Sequence, residues 1–569
     1  MRLLSTKTFE VVSISEDETP PYAILSHTWD RDEVTLQEMQ GFASKLLSTA
    51  SRVKLLMAKQ GLQKILEAAK LAASEGHGWI WVDTCCIDKT SSAELSEAIN
   101  SMYIWYQNSE ICYVYLADAT AEELSKSSYD EIIRKSRWIT RGWTLRELIA
   151  PRTVSFYSKD WKFIGKKNDE HIMRPLAEAT DIEIGVLSGD MATQEVSVAN
   201  RMGWASQRKT RRQEDMAYCL MGLYGVNMPL LYGEGGLRAF IRLQNEILQA
   251  IDDQTIFAWS VLPGELGHRR VSGLLAKSPA YFRNTENMHP ISGWYQSENN
   301  IPWSMTNRGL MVQLYLRPST YDISEEEDSA DNFVAALACT ADLKVRDEYG
   351  RNWVEEHSPA IYLQRLWGDQ YARVHADHRK YCNTHHRQGG QVKTLFVKQD
   401  QSLSLPSFRV TEKFLGGAGS FFVSGVYPRD RWDSKAGVFR SGLFPLRSIQ
   451  GLFRFFYPLE NGDSRMLFDV AVALQPTASG QFEPFGILRP SEGGTVCDAY
   501  ERINKVWIST CRDGKAELAS EYRDKMVVLL QLREISRLGG LSYVLDLVGR
   551  AELEDTASDL LVNDASLTF

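Results

Sequence analysis

The sequence predicts an α/β fold with a parallel sheet in the N-terminal half, followed by a β-rich C-terminal half. Strand-like and helix-like apolar segments alternate over the first 260 residues. Residues 111–116 are apolar throughout, as in a strand buried on both faces of a parallel sheet. From about residue 256 the apolar segments become short and strand-like, and Gly, Pro, Asp and Asn separate them.

Four strands are expected in the N-terminal half, because short apolar runs there are rich in β-branched and aromatic residues. The expected strands are residues 22–26, 79–82, 111–116 and 154–157. Their alternation with helix-like segments favours parallel pairing through right-handed crossovers.

Helices are expected where apolar residues recur at spacings of three and four. Ser91 and Glu94 form a capping-box pattern, in which each side chain accepts a hydrogen bond from a free backbone N–H group of the other residue. The expected helices are residues 53–74, one that begins at Ser91, residues 141–149 and most of residues 170–250.

Length and composition predict several domains, since 569 residues are too many for one core. The predicted regions are an α/β domain (1–169), a helical extension (170–258), a β-rich domain of unknown role (259–550) and a polar tail (551–569).

Charge, hydropathy and cysteine usage argue against several classes of protein. The net charge of -9 and the pI of about 5.7 argue against a general nucleic-acid binder, which needs a basic face. No apolar run reaches about 18 residues, so we expect no membrane span. Eight cysteines without a CxxC pair are typical of reduced thiols, and we expect a cytoplasmic location.

Three blocks of the N-terminal half resemble the heterokaryon incompatibility (HET) domain of filamentous fungi. They are Pro21–Trp29 (PYAILSHTW), Trp81–Asp88 (WVDTCCID) and Arg137–Pro151 (RWITRGWTLRELIAP), in the order of the family. The resemblance implies programmed cell death on non-self recognition, a form of innate immunity. It also implies self-association on activation and a non-self recognition partner.

The sequence departs from the larger members of that family. Those proteins append a nucleotide-binding domain and repeat propellers, whereas this sequence has no GxxxxGK[ST] motif and no propeller repeat. We therefore expect regulation through the C-terminal half or through a partner.

A more distant resemblance links the chain to the TIR domains of animals, plants and bacteria. Trp143–Leu148 (WTLREL) is similar to the TIR motif W-x-L-x-E-L, whose glutamate is catalytic in TIR domains that cleave NAD. The resemblance implies a TIR-like, flavodoxin-like parallel sheet, Glu147 as the catalytic residue and NAD as the substrate of an NAD glycohydrolase (NADase), with no cofactor. It leaves open a non-enzymatic domain that self-assembles and recruits a death effector.

Polar residues follow the predicted strands at their carboxyl ends, where doubly wound sheets bind ligands. The residues expected to bind substrate are Ser26, His27, Trp29, Asp83, Asp88 and Trp143. Glu147 would stabilise the oxocarbenium-like transition state of nicotinamide–ribose cleavage. Its place near a helix start is expected to favour the ionised form.

Structural roles are the alternatives for the same residues. Glu147 would then pair with Arg141 or Arg146, Trp143 would pack in the core, and His27 would be a hydrogen-bonded structural histidine. Asp83 and Asp88 would fix their loop through Asx-type hydrogen bonds.

Two further groups of residues suggest other chemistry. Cys85, with His27 and Asp83, would form a thiol nucleophile, its base and an orienting acid, although a buried cysteine is usually inert. His375, His378, Cys382, His385 and His386 approach the spacing of zinc ligands. Their basic neighbours Arg379, Lys380 and Arg387 and the lack of a CxxC pair favour an exposed loop without metal.

Overall fold

The structure is a computed structural model that forms two compact units. The first unit comprises Met1–Arg317, Val334–Leu363 and Arg373–Gln399, and the second comprises the rest. The described residues are 1–43, 56–120, 122–123, 128–261, 271–285, 287–291, 301–319, 332–346, 352–367, 369–377, 380–383, 390–399, 407–414, 422–429, 432–433, 438–440, 449–458, 465–476, 482–510, 519–522, 526–537 and 540–551.

A seven-stranded sheet lies at the centre of the N-terminal half, with the strand order β2-β1-β4-β3-β5-β6-β7. Its strands are β1 (Arg2–Ser5), β2 (Val11–Ser13), β3 (Ala23–His27), β4 (Trp79–Trp81), β5 (Ile111–Leu116), β6 (Val154–Ser158) and β7 (Phe163–Lys166).

The sheet is mixed. The prediction of a parallel sheet is therefore correct for its central strands and wrong for the flanking strands. Strands β4, β3, β5 and β6 are parallel, as expected. The flanking strands β1, β2 and β7 pair antiparallel. The connections from β1 to β2 and from β6 to β7 are too short for a crossover, and they therefore form hairpins.

The four parallel strands occur in the order 2-1-3-4 when they are numbered along the chain. This is the order of the first four strands in one common doubly wound sheet. The order reverses between β3 and β5, and the carboxyl ends of these two strands form the topological switch point where such sheets bind ligands.

Short helices connect and flank the strands. They are α1 (Leu36–Ala43), α2 (Gln60–Ser74), α3 (Ser92–Gln107), α4 (Tyr129–Lys135), α5 (Arg137–Thr140), α6 (Thr144–Ile149), α7 (Glu170–Thr180), α8 (Ile184–Ser188), α9 (Val198–Gly203), α10 (Asp215–Tyr218), α11 (Met221–Tyr224) and α12 (Gly236–Ala250). Within the described residues, none of the helices is both long and apolar enough to cross a membrane.

The helix predicted over residues 141–149 begins three residues late, at Thr144. The backbone pairs with Lys209 instead: Gly142 N donates to Lys209 O at 2.9 Å, and Lys209 N donates to Thr140 O at 2.7 Å. These contacts hold Arg141 in an extended conformation and separate α5 from α6.

The capping box at the start of α3 is only half formed. Ser91 Oγ accepts the backbone N–H of Glu94 at 3.3 Å, as predicted. The carboxylate of Glu94 accepts the N–H of Asp88 at 2.8 Å and pairs with Arg2. The glutamate thereby fixes the loop that precedes the helix.

The C-terminal half is β-rich, as predicted. A ten-stranded sheet contains β8 (Val271–Ser272), β9 (Met288–Pro290), β10 (Ser304–Thr306), β11 (Gly309–Pro318), β12 (Asn332–Ala336), β13 (Cys339–Arg346), β14 (Asn352–Trp367), β15 (Gln370–Val374), β16 (Lys380–Asn383) and β17 (Gln391–Val397).

The remaining strands form two smaller sheets. One contains β18 (Ser407–Phe414), β20 (Trp432–Asp433), β21 (Val438–Arg440), β25 (Ala519–Tyr522), β26 (Met526–Arg537) and β27 (Gly540–Ala551). The other contains β19 (Phe422–Tyr427), β22 (Ile449–Pro458), β23 (Arg465–Pro476) and β24 (Phe482–Pro490).

One helix of the C-terminal half, α13 (Val496–Thr510), was not predicted. Its residues Ala499 and Ile503 are buried against Leu452 and Ala471 of the four-stranded sheet. The four-residue spacing of Ala499 and Ile503 is the sequence signal for this helix.

Two buried side chains beyond residue 250 cap the start of α9. Asp253 Oδ2 accepts the N–H of Val198 at 2.7 Å, and Thr255 Oγ1 accepts the N–H of Ala199 at 3.0 Å. Asp253 Oδ1 also accepts the N–H of Thr255 at 2.8 Å. The segment that leads into the β-rich part thereby accepts hydrogen bonds from the free N–H groups at the start of a helix in the N-terminal half.

We expect Asp253→Ala to lower the free energy of unfolding by about 1–3 kcal/mol, because it leaves two buried N–H groups without an acceptor. The matched control is Asp252→Ala, since Asp252 is the exposed neighbour. Urea denaturation of the full chain measures both. Equal midpoints for the two variants would contradict the capping role.

Candidate functional site

A buried hydrogen-bond chain lies at the carboxyl end of β3. The hydroxyl of Ser26 donates to Oε2 of Glu147 on α6, and Ser26 Oγ accepts the indole N–H of Trp138 at 2.7 Å. Ser26, Trp138 and Glu147 are 0%, 1% and 6% exposed. The structure thus brings two of the predicted site residues together, at a strand end that borders the switch point.

Burial raises the pKa of Glu147 to about 7. The hydrogen bond from Ser26 opposes this effect, and the nearby charge of Asp83 adds to it. Burial therefore opposes the ionised form that the place of Glu147 near the helix start was expected to favour. Among the described residues, no ion pair joins Glu147 to Arg141 or Arg146.

His27 lies between two carboxylates, next to the hydrogen-bond chain of Trp138, Ser26 and Glu147. Its Nε2 is 3.7 Å from Glu33 Oε2 and 3.7 Å from Asp83 Oδ1, and its side chain is 1% exposed. These distances are too long for hydrogen bonds. Within the part of the chain that the structure describes, neither ring nitrogen of His27 has a hydrogen-bond partner. The hydrogen-bonded structural role considered for His27 is therefore not observed.

The Glu33 carboxylate is held in its ionised form. Lys64 Nζ donates to Glu33 Oε1 at 2.7 Å. Although burial raises the pKa of Glu33, the opposing effects of His27 and Lys64 outweigh it, and the pKa lies well below its usual range.

Trp29 reaches across to the loop after β4. Its indole N–H donates to Asp83 Oδ2 at 2.7 Å, and Lys89 Nζ lies 3.6 Å from the centre of its ring. An ammonium group at this distance makes a cation–π contact. Lys89 therefore covers one of the two ring faces on which a base or nicotinamide would stack.

Two predicted residues have their contacts elsewhere. Asp88 Oδ1 accepts hydrogen bonds from Gln37 and from the backbone and hydroxyl of Thr90, which is the Asx-type arrangement. Trp143 donates its indole N–H to Asp215 at 3.4 Å and lies 4.2 Å below the guanidinium of Arg146. Trp143 precedes the first residue of α6, and among the described residues its indole hydrogen bond and ring contact involve neither Ser26 nor Glu147.

The other two groups of residues gain no support. The pKa of Cys85 lies well above its usual range, because of its contact with Cys86 and its burial, so the thiolate is disfavoured. Among the described residues, no three His, Cys, Asp or Glu side chains are placed to hold a metal ion. His378, His385 and His386 lie outside the described residues, as does the tail after residue 551.

Four side chains of the site are absent from the predicted set: Trp138, Glu33, Lys64 and Lys89. Trp138 lies inside the third sequence block (RWITRGWTLRELIAP), and its place in that block is the sequence signal that would have pointed to it. The other three belong to segments without a motif, and only the tertiary structure brings them to β3 and β4.

Comparison with known proteins identifies the segment that contains β3 and β4. The family model described as "Heterokaryon incompatibility protein (HET)" matches residues 22–133. The chain carries a HET domain. The matched range includes Ser26, His27, Trp29 and Asp83 and ends before Glu147. A second family model, a domain of unknown function (DUF8212), matches residues 238–340.

The HET domain is similar to part of a curated protein, the vegetative incompatibility protein HET-E-1 of Podospora anserina. The two are 42% identical over 233 residues, which is 40% of this chain and 16% of that protein. The chain therefore matches only a small part of this relative. No solved structure matches the chain.

We expect Glu147→Gln to be more stable than the wild type, by a margin that grows as the pH rises. The carboxyl is neutral in both states below its unfolded pKa of 4.5; above that pH the unfolded chain ionises while the folded chain keeps its proton until about pH 7. The wild type therefore loses stability across this window, by roughly 3 kcal/mol, and the glutamine variant does not.

Urea denaturation of wild type and variant at about pH 4 to about pH 8 measures this difference. The matched control is Glu97→Gln, because Glu97 is exposed on α3. A stability gap between wild type and Glu147→Gln that stays constant with pH would show that the folded-state pKa is not raised.

Proposed function

We propose that the chain is a heterokaryon incompatibility protein that triggers cell death on non-self recognition, by hydrolysing NAD at the nicotinamide–ribose bond with Glu147 as the catalytic carboxylate. In this proposal a non-self partner promotes self-association, and the self-associated form is active. The observation that carries the catalytic part is the Glu147 carboxyl, bonded to Ser26 at the end of a parallel strand.

The reaction needs one carboxylate and one water molecule. As the bond between nicotinamide and ribose C1 breaks, its electron pair neutralises the pyridinium ring, and positive charge develops on the ribose. An ionised Glu147 would stabilise that charge. Water then adds to C1 and loses a proton, which gives ADP-ribose. With a pKa of about 7, both the ionised and the neutral form of Glu147 occur near neutral pH.

Two observations support the enzyme. The 2-1-3-4 order of the parallel strands is consistent with the TIR-like fold that the motif WTLREL implies. A raised carboxyl pKa next to a switch point is typical of acid–base and electrostatic catalysis.

The burial of the same residues favours the alternative, a non-enzymatic domain that self-assembles and recruits a death effector. Ser26 is 0% and Glu147 is 6% exposed, and Lys89 covers one face of Trp29. In the enzyme, a dinucleotide reaches Glu147 only after neighbouring side chains move. In the scaffold, the hydrogen-bond chain simply holds α6 against β3.

We expect the purified 569-residue chain, at high concentration, to release nicotinamide from NAD, and Glu147→Ala to reduce the rate at least about 100-fold. The physical reason is the loss of the carboxylate that would stabilise the ribose cation. Glu97→Ala, on the exposed face of α3, is the matched control and should retain the wild-type rate.

A cell-viability assay with the same variants separates the two functions. Toxicity that disappears in Glu147→Ala together with nicotinamide release supports the enzyme. Absent nicotinamide release with toxicity that survives Glu147→Ala would reject the hydrolase and favour the scaffold.

A further inference from the structure

We propose that Trp138 is a positioning residue: its indole N–H fixes the Ser26 hydroxyl as a permanent donor to Glu147 and so leaves the other oxygen of Glu147 for the substrate. This inference rests on the proposed function and concerns the same site. It assigns a role to a residue that lies outside the range matched by the HET family model.

The direction of the relay follows from the donors and acceptors. An indole N–H donates only, so Ser26 Oγ must be the acceptor at 2.7 Å. The serine hydroxyl has one proton to place, and among the described residues its acceptor is Glu147 Oε2. Trp138 thus occupies an acceptor position of Ser26, and the hydroxyl proton remains directed at the carboxylate.

The indole is held firmly in this orientation. Its ring packs edge-on against Phe156, with centroids 5.6 Å apart and an interplanar angle of 86°. Its backbone N–H donates to Ser136 Oγ at 3.3 Å, and its carbonyl accepts the hydroxyl of Thr144 at 2.5 Å. Because Trp138 is 1% exposed, it has no space in which to swing away from Ser26.

The relay has two consequences for Glu147. A donor that cannot turn away stabilises the carboxylate over the carboxylic acid, and the preceding N–H···O bond polarises the serine O–H further. The relay also engages Oε2. No hydrogen bond to Oε1 occurs among the described residues, so Oε1 is the oxygen that would face a ribose cation.

The first test follows the ionisation of Glu147 by infrared spectroscopy, with the carboxyl band assigned by subtraction of the Glu147→Gln spectrum. We expect Trp138→Phe to raise the titration midpoint by roughly 0.5–1 pH unit, because the serine hydroxyl is then free to rotate. Ser26→Ala should raise it at least as much. In the Ser26→Ala background, Trp138→Phe should cause no further shift.

The matched control is Trp81→Phe. Trp81 is also fully buried, but its indole nitrogen has no hydrogen-bond partner among the described residues. This variant makes a similar cavity without removing a hydrogen bond, and it should leave the midpoint unchanged. An equal shift in Trp81→Phe, or a Trp138→Phe shift that persists in the Ser26→Ala background, would overturn the proposal.

A second measurement avoids the tryptophan substitution, in case Trp138→Phe does not fold. In the wild type labelled with ¹⁵N-tryptophan, the indole resonance of Trp138 should titrate with the same midpoint as the Glu147 band. In Ser26→Ala it should not titrate. A Trp138 resonance that ignores the ionisation of Glu147 in the wild type would also reject the relay.

Activity gives an independent result. If the protein hydrolyses NAD, the acidic limb of the kcat profile in Trp138→Phe should move to higher pH in step with the infrared midpoint, with little change in KM. If the wild type releases no nicotinamide, the proposed hydrolase fails, whereas the infrared and resonance titrations still decide whether the relay exists.

Discussion

The contact between Ser26 and Glu147 is the interaction on which the geometry of the HET domain site depends. It joins the end of a buried parallel strand to a six-residue helix that is too short to be stable alone. Burying a carboxyl costs free energy unless it is hydrogen-bonded, and Ser26 supplies that bond. The contact ties α6 to β3, opposes the rise in the pKa of Glu147 that burial causes, and extends through Ser26 to the indole of Trp138.

A second group of charges surrounds this contact without being bonded to it. His27 lies between Glu33 and Asp83. Lys64 pairs with Glu33, and Lys89 interacts electrostatically with Asp83 and Glu33. Asp83 contributes to the raised pKa of Glu147, so the two groups are electrostatically coupled. The site therefore combines a buried hydrogen-bond chain with a buried histidine whose ring nitrogens have no hydrogen-bond partner among the described residues.

The parallel core could be predicted from the sequence because its four strands are short, mainly apolar segments that alternate with helix-like segments. The flanking strands could not, since Arg2–Ser5, Val11–Ser13 and Phe163–Lys166 are short and their pairing depends on tertiary contacts. The break between α5 and α6 was missed for the same reason, because it results from pairing with Lys209, more than sixty residues away.

The candidate site was predictable to the extent that strand ends were predictable. Ser26, at a predicted strand end, and Glu147, in the motif WTLREL, are both predicted site residues, and they contact each other. Asp88 and Trp143 make their contacts elsewhere. Glu33, Lys64 and Lys89 carry no local signal. A charged residue at a surface and one in a buried pair look alike in sequence, and only packing distinguishes them.

The caps that Asp253 and Thr255 supply to α9 bear on how such chains diversify. A recombination event that replaced the sequence after residue 252 would remove both acceptors, although that breakpoint lies far beyond the segment matched by the HET model. Exchange of C-terminal modules would then require the incoming sequence to restore an Asp-x-Thr segment at the same place. The position at which C-terminal segments can be exchanged is thus constrained by the start of α9 rather than by the end of the segment matched by the HET model.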